Sequence, residues 1–197
     1  MKADDRRREA KDWNRWMESA AKLADRFYLE AGNDDPFMYG EQASVGFLAT
    51  AAAHAGFMAL PEFAVTKNDI KNSSPRSGRS DLWISSSDRE WWFEAKQRFI
   101  NRGSKADLVR SWRDAERCAS EVRDNGTAVA MLIVSCWRLK GPDAPAKGDT
   151  GRPIKVTRQA AREAVHDFKN ERQFAWRLGR DDDRTPETYI FFDILKG

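Results

Sequence analysis

Three charged residues, Asp81, Glu94 and Lys96, have the chemical types and the spacing from which a metal site can be built. Twelve residues separate the first two, and the segments around them, Ser80–Trp83 and Trp91–Lys96, are typical of short strands joined by a polar turn. If these strands pair, we expect Asp81 to come close to Glu94. Two carboxylates and a lysine on one face of a sheet form a candidate divalent-cation site with an acid–base or electrostatic group beside it.

The second of these segments alternates between polar and apolar side chains. Because successive side chains of a strand point to opposite faces, Glu94 and Lys96 share one face with Trp92. We expect Trp92 to wall the site, although stacking on a base or a sugar is the alternative. The other face is apolar and is predicted to enter the core: Trp91, Phe93 and Ala95.

An aspartate, a spacer and then Glu-x-Lys on the next strand resemble the active-site signature of the PD-(D/E)XK nuclease superfamily, which includes many restriction endonucleases. The match consists of Asp81 followed by Glu94-Ala95-Lys96. The family pattern often has a proline before the aspartate, whereas this chain has Ser80. So short a motif gains weight only if the surrounding chain supplies the right helices and strands.

The resemblance implies a role for each residue of the motif. Asp81 and Glu94 would hold one or two Mg²⁺ or Mn²⁺ ions, together with the main-chain carbonyl of Ala95. Lys96 would orient or help to deprotonate the attacking water and would offset charge on the phosphate. Gln97, which follows the motif directly, is expected to support it and is also a candidate nucleic-acid-binding residue.

Glu41 is predicted to join the site from a helix that precedes the first strand. This helix is expected to run from Pro36 to about Gly56, and Glu41 continues its apolar stripe backwards. In the family that the chain resembles, such a helix often supplies a further acidic residue to the metal site. The alternative is that Glu41 lies in the first helical turn and complements the helix dipole from the surface. The stripe consists of Val45, Leu48, Ala52 and Ala55.

Periodicity and turn residues predict the order of the elements independently of the motif. From residue 36 to residue 137 this order is αβββαβ, which is also the core order of the resembled superfamily. We therefore predict an α/β fold with a restriction-endonuclease-like core, in which a central mixed sheet is flanked by helices. One domain is expected, with an N-terminal helix (1–33), a catalytic core (34–137) and a C-terminal helix–strand extension (138–197). The predicted elements are helices 3–31, 36–56, 104–123 and 157–170, and strands 57–65, 80–83, 91–96, 127–137 and 188–195.

A polar segment, residues 67–79, leads into Asp81 and is predicted to be a loop. Its basic side chains would suit backbone phosphates near the site, and an ordinary connection without a ligand is the alternative. The basic residues are Lys67, Lys71, Arg76 and Arg79.

Composition excludes several other chemistries. Two histidines and two dispersed cysteines leave no zinc-site spacing, and the chain has neither a Walker-type phosphate loop nor a dinucleotide fingerprint. Hard oxygen ligands, which suit Mg²⁺ or Mn²⁺, are the metal chemistry that remains. A net charge of +3 permits nucleic acid without requiring it. No apolar run reaches membrane-spanning length, so we expect a cytoplasmic protein without a membrane partner.

These patterns together favour a metal-dependent nuclease that hydrolyses phosphodiester bonds, most readily as a DNA endonuclease. RNA as the substrate and a homodimeric state are left open. The first alternative is a non-catalytic module that binds nucleic acid or protein on the same fold. The second is a globular protein in which Glu94 and Lys96 merely form a surface ion pair.

Overall fold

The computed structural model has an α/β architecture in which helices cover both faces of a six-stranded mixed sheet. It describes residues 3–32, 34–68, 74–100, 105–135, 137–138, 154–155, 158–179 and 187–195. None of the helices in these ranges is both long enough and apolar enough to span a membrane.

The bounds of the helices and strands are given for the described ranges. The α-helices there are α1 (Ala3–Glu30), α2 (Glu41–His54), α3 (Lys105–Val122) and α4 (Arg158–Asn170). The strands are β1 (Met58–Asn68), β2 (Pro75–Ser85), β3 (Glu90–Phe99), β4 (Thr127–Ser135), β5 (Trp137–Arg138), β6 (Ile154–Lys155), β7 (Phe174–Leu178) and β8 (Thr188–Ile194). From α2 to β4 the order is αβββαβ, as periodicity predicts.

The large sheet has the strand order β1-β2-β3-β4-β8-β7. Its first three strands form antiparallel hairpins, β3 and β4 run parallel, and β8 is antiparallel to both β4 and β7. The α3 helix makes the crossover between the parallel strands, as a parallel pair requires. A separate two-stranded sheet pairs β5 with β6.

Two apolar clusters hold the helices to the sheet. On one face, α1 and α2 pack over β3, β4 and β8, and the buried rings of Trp16 and Phe192 stack at 5.4 Å. On the other face, α3 and α4 cover the opposite side chains of β4 and β8, with Trp112 edge-on to Phe168. Strand β4 is buried on both faces, which explains why its sequence is almost continuously apolar.

Two expectations about the elements are corrected. The helix predicted over 36–56 begins only at Glu41, because Pro36–Met38 forms a separate 3₁₀ turn capped by Asp35 and Gly40, with a φ of 107°, interrupts the helical path. The loop predicted over 67–79 is wrong at both ends, because β1 extends to Asn68 and β2 starts at Pro75, in register with it; residues 69–73 lie outside the described residues.

The C-terminal part contains a strand that was not predicted. This strand, β7, lies in a stretch rich in Arg and Asp after α4, and its Phe174 and Trp176 pack against the core. The predicted last strand, β8, joins the sheet between β4 and β7. The remaining predicted helices and strands are confirmed to within a few residues at their ends, and Pro61 does lie on an edge strand.

Replacing Trp16 by Ala should test the α1 contact with the sheet. Trp16 is fully buried, stacks on Phe192 and donates a hydrogen bond from Nε1 to the Leu48 carbonyl at 2.8 Å. We expect the free energy of unfolding to fall by about 3–5 kcal/mol, measured by urea denaturation. Leu29 on the same helix is 66% exposed, so Leu29→Ala should change it by less than about 0.5 kcal/mol. Equal effects of the two variants would contradict this packing.

Candidate active site

The carboxylate of Asp81 lies where β2 and β3 stop pairing. Their ladder of paired residues ends at Leu82 and Phe93, and the next position along the register places Asp81 opposite Glu94. There Asp81 Oδ2 accepts a hydrogen bond from the main-chain N–H of Ala95 at 2.7 Å, in place of a strand–strand bond. The predicted approach of Asp81 to Glu94 is therefore present.

Glu94 is buried, with 2% of its surface exposed. Its Oε2 accepts a hydrogen bond from Lys67 Nζ at 2.8 Å, whereas Oε1 has no hydrogen-bond partner among the described residues. Burial, followed by the charge of Asp81, raises the pKa of Glu94 to about 7, although Lys67 and Ser80 act in the opposite direction. A carboxyl group with a buried, unpaired oxygen beside a second carboxylate favours the approach of a cation.

Lys96 lies on the same face of β3 as Glu94. The parallel register pairs these two residues with Leu132 and Ala130, which both belong to the α3 and α4 face of the sheet. Lys96 Nζ donates to the main-chain carbonyl of Ala95 at 2.7 Å and to Glu41 Oε1 at 3.2 Å. The predicted faces of β3 are thus confirmed, and the carboxylate paired with Lys96 is Glu41 rather than Glu94.

The pKa of Lys96 reflects opposing effects. Burial lowers it, and the negative charges of Glu41 and Asp81 outweigh burial, so that the pKa lies above its ordinary value. Lys96 is therefore a stable ammonium cation at neutral pH. This charge state suits orientation of water and stabilisation of negative charge, and it does not suit removal of a proton from water.

Glu41 is the first residue of α2 and bridges that helix to β3. Its Oε1 accepts from Lys96, and its Oε2 accepts from the main-chain N–H of Gln97 at 3.0 Å. Both readings of Glu41 from the sequence thus have a counterpart, since the residue lies in the first helical turn and also faces the motif. The break at Gly40 aims α2 so that its first carboxylate meets β3.

Gln97 points to the opposite side of β3 and ties the site to its supports. Its Nε2 donates to the carbonyl of Phe37 at 2.7 Å and to Ser135 Oγ at 2.6 Å, and its Oε1 accepts from Ser44 Oγ at 3.0 Å. These bonds join β3 to the 3₁₀ turn, to β4 and to α2. The Gln97 amide is thus engaged with these three elements, on the side of β3 opposite Glu94, and is not presented to a nucleic acid.

The oxygen atoms near Asp81 fit a hard divalent cation. The carboxylates of Asp81 and Glu94 and the carbonyl of Ala95 are the ligand types that Mg²⁺ and Mn²⁺ prefer, with water or substrate oxygens completing the shell. Within the described ranges, no group of three or more His, Cys, Asp or Glu side chains is arranged to hold a metal ion. Glu41 thus lies beside this two-carboxylate set and is held by Lys96 and Gln97.

The basic residues predicted to contact phosphate are placed differently from one another. Lys67 is buried against Glu94, and Arg76 forms an ion pair with Glu121 of α3 at 2.5 Å. Arg79 has a side chain that is 68% exposed, 3.9 Å from Glu62. Lys71 lies outside the described residues. Arg79 is therefore the residue of this set that the structure leaves most accessible near Asp81.

Two features of the site wall were not evident from the sequence. The first is Lys67, which was assigned to a surface loop; the period-two pattern of Phe63 and Val65, continued by one step, could have extended β1 to include it. The second is the packing of Trp92, whose ring lies 5.3 Å from that of Phe63. This contact holds Trp92 against β1, on the face of β3 that also carries Glu94.

Comparison with known proteins found no relative of this chain. No protein-family model, curated protein or solved structure matches the chain. Function is therefore inferred from the residues themselves and from the geometry that joins Asp81, Glu94 and Lys96.

Replacing Glu94 by Gln is expected to remove a pH trend in stability. Because burial and Asp81 raise its pKa from 4.5 to about 7, folded Glu94 keeps a proton between these pH values that the unfolded chain has released. Its contribution to the free energy of unfolding is thus highest below pH 4.5 and falls as the pH rises to 7. The free energy of unfolding of Glu94→Gln minus that of the wild type should therefore rise by on the order of 3 kcal/mol between pH 4.5 and pH 7.

Urea denaturation at several pH values, with a chelator present, measures this difference. Glu18→Gln, on the exposed face of α1, is the matched control and should leave the wild-type trend unchanged. Parallel pH profiles for wild type and Glu94→Gln would show that the Glu94 carboxyl titrates normally.

Proposed function

We propose that this protein is a metal-dependent nuclease that hydrolyses phosphodiester bonds, with DNA as its substrate. The observation that carries the proposal is the Asp81 carboxylate bonded to the Ala95 N–H, beside the buried Glu94 and with Lys96 on the same face of β3 as Glu94. The raised pKa of Glu94 supports it, because two close carboxylates in a buried place gain most from a shared divalent cation.

A bound Mg²⁺ or Mn²⁺ ion would lower the pKa of a water molecule and offset negative charge on the scissile phosphate. Asp81, Glu94 and the Ala95 carbonyl would hold the ion. The hydrogen bond from the Ala95 N–H fixes the Asp81 carboxylate, so that it needs little reorganisation to act as a ligand.

Lys96 would act as a fixed positive charge beside that site. Its ammonium group donates to the Ala95 carbonyl and to Glu41, which hold it at the polar face of β3. From there it would orient the attacking water and stabilise charge that develops on the phosphate. Glu41 is a positioning residue in this scheme, because it holds Lys96 through Oε1 and the β3 main chain through Oε2.

We also propose that the fold contains a restriction-endonuclease-like core. The order αβββαβ from α2 to β4, with the motif on β2 and β3, supports a restriction-endonuclease-like core, to which α1, α4, β7 and β8 are additions. The choice of DNA follows from the resemblance of the motif. The exposed Arg79, two residues before Asp81 in the chain, is suitably placed for a backbone phosphate.

One observation favours a second candidate function, a module that binds nucleic acid or protein without cleaving it. The ion pair between Lys67 and Glu94 already compensates one carboxylate by a charge from the protein itself. Such a module would retain DNA with a steep dependence on salt and would show no cleavage with any divalent cation.

Cleavage assays on circular and linear DNA with Mg²⁺, Mn²⁺ or chelator separate these functions. The wild-type protein should cleave only with a divalent cation, and Lys96→Met should reduce the rate at least about a hundredfold because the fixed charge is lost. Asp81→Asn should do the same, since an amide keeps the hydrogen bond to the Ala95 N–H and loses the charge.

Lys11→Met removes a lysine from the exposed surface of α1 and should cleave like the wild type. Circular dichroism and thermal melting check that every variant folds. Full activity in a folded Lys96→Met protein, or cleavage by the wild type in chelator, would remove the proposed mechanism. DNA retention without any cleavage would favour the binding module.

A further inference from the structure

Lys67 is a buried lysine inside the proposed site, and Glu94 is its carboxylate partner among the residues that the structure describes. Its side chain is 8% exposed, that of Glu94 is 3% exposed, and their charged atoms are 2.8 Å apart. Lysine is seldom buried unless it is paired, so the position requires an explanation. The oxygen that Lys67 contacts belongs to the carboxylate whose other oxygen has no partner among the described residues.

The neighbouring strand is shaped to admit this side chain. A Cβ atom at Gly78 would lie 3.0 Å from Lys67 Cδ and 3.1 Å from Cγ, so the lysine stem crosses β2 where a side chain is missing. The glycine has an ordinary φ, and thus the close approach of Lys67 is the reason that the structure offers for it.

Contacts with α3 and the turn after it hold the end of β1 in place. Asn125 Nδ2 donates to the Thr66 carbonyl at 3.0 Å, and Asn68 Nδ2 donates to Asp124 Oδ2 at 2.5 Å. Arg76, which pairs with Lys67 in the strand register, is held by Glu121. The residues on either side of Lys67, Thr66 and Asn68, are thus bonded to the turn after α3, which fixes the end of β1 that carries Lys67.

We propose that Lys67 is a built-in counter-ion that competes with the divalent cation for Glu94. This inference rests on the proposed function, because it concerns the same two-carboxylate site. A cation held by Asp81 and Glu94 must share the Glu94 carboxylate with an ammonium group or displace it. In either case the like charges repel each other in a buried place, where such repulsion is strong.

Two consequences follow for the protein without and with the cation. Without it, Lys67 compensates a carboxylate that would otherwise be buried alone, which stabilises the fold. With it, the same ammonium lowers the affinity of the site for the cation. If Lys67 served instead only to orient Glu94 as a ligand, its removal would weaken cation binding.

Lys67→Met tests this choice, because methionine keeps much of the stem and loses the charge. Calorimetric titration with Mg²⁺ at pH 9, where protonation of Glu94 competes little, should give an affinity at least about tenfold higher than that of the wild type. Arg76→Met is the matched control, since it removes the same charge from the paired position without touching Glu94. The Mg²⁺ affinity of Arg76→Met should stay within about twofold of the wild-type value.

Thermal melting gives a second readout, independent of cleavage. In chelator, Lys67→Met should melt several degrees below the wild type, and saturating Mg²⁺ should raise its melting temperature more than that of the wild type. Asp81→Asn should abolish the Mg²⁺ effect, which identifies the site.

The outcomes separate the two levels of inference. If the wild type binds Mg²⁺ through Asp81 and Lys67→Met binds it equally or more weakly, the counter-ion role is overturned and the metal site stands. If wild type, Lys67→Met and Arg76→Met all fail to bind Mg²⁺ or Mn²⁺, both the metal site and the role of Lys67 are overturned.

Discussion

A hydrogen bond between the Asp81 carboxylate and the Ala95 amide determines the geometry of the whole site. It replaces a strand–strand bond at the position where β2 and β3 separate, and so it fixes an acidic group at the opening of a hairpin. Every other member of the site is placed relative to this point. Glu94 and Lys96 flank Ala95 on β3, Glu41 reaches the same stretch from α2, and the remaining supports of β3 keep it straight enough to present all of them.

The charged groups that the site brings together lower the stability of the folded protein. Glu94 is buried beside another carboxylate, and the raised pKa shows that its ionised form is disfavoured there. Lys67 relieves part of this repulsion from one side, while Lys96 is occupied by Glu41 on the other. An arrangement chosen for stability alone would place apolar side chains at such positions. Conflicts of this kind are concentrated at functional sites in proteins.

The sequence is informative where a single physical signal dominates. The apolar stripes of α1 and α3, the double-sided burial of β4 and the faces of β3 follow from periodicity, and they place Glu94 beside Lys96 without further information. Prediction fails where tertiary contacts outweigh local composition. The polar end of β1 is a strand because Thr66, Asn68 and Arg76 meet partners on α3 and its following turn, and no pattern within residues 67–79 encodes those partners. The pairing of Lys67 with Glu94 is likewise a property of the sheet register.

The position of β8 between β4 and β7 has a consequence for how the chain acquires its structure. During synthesis, β4 leaves the ribosome before α4, β7 and β8 exist, and one of its edges then lacks the strand that will cover it. This edge belongs to the most apolar strand of the sheet. Strands that are far apart in the sequence pair slowly, and the folding intermediates expose apolar surface that is prone to aggregate. We therefore expect nascent chains of this protein to depend on chaperones until the last strand is inserted.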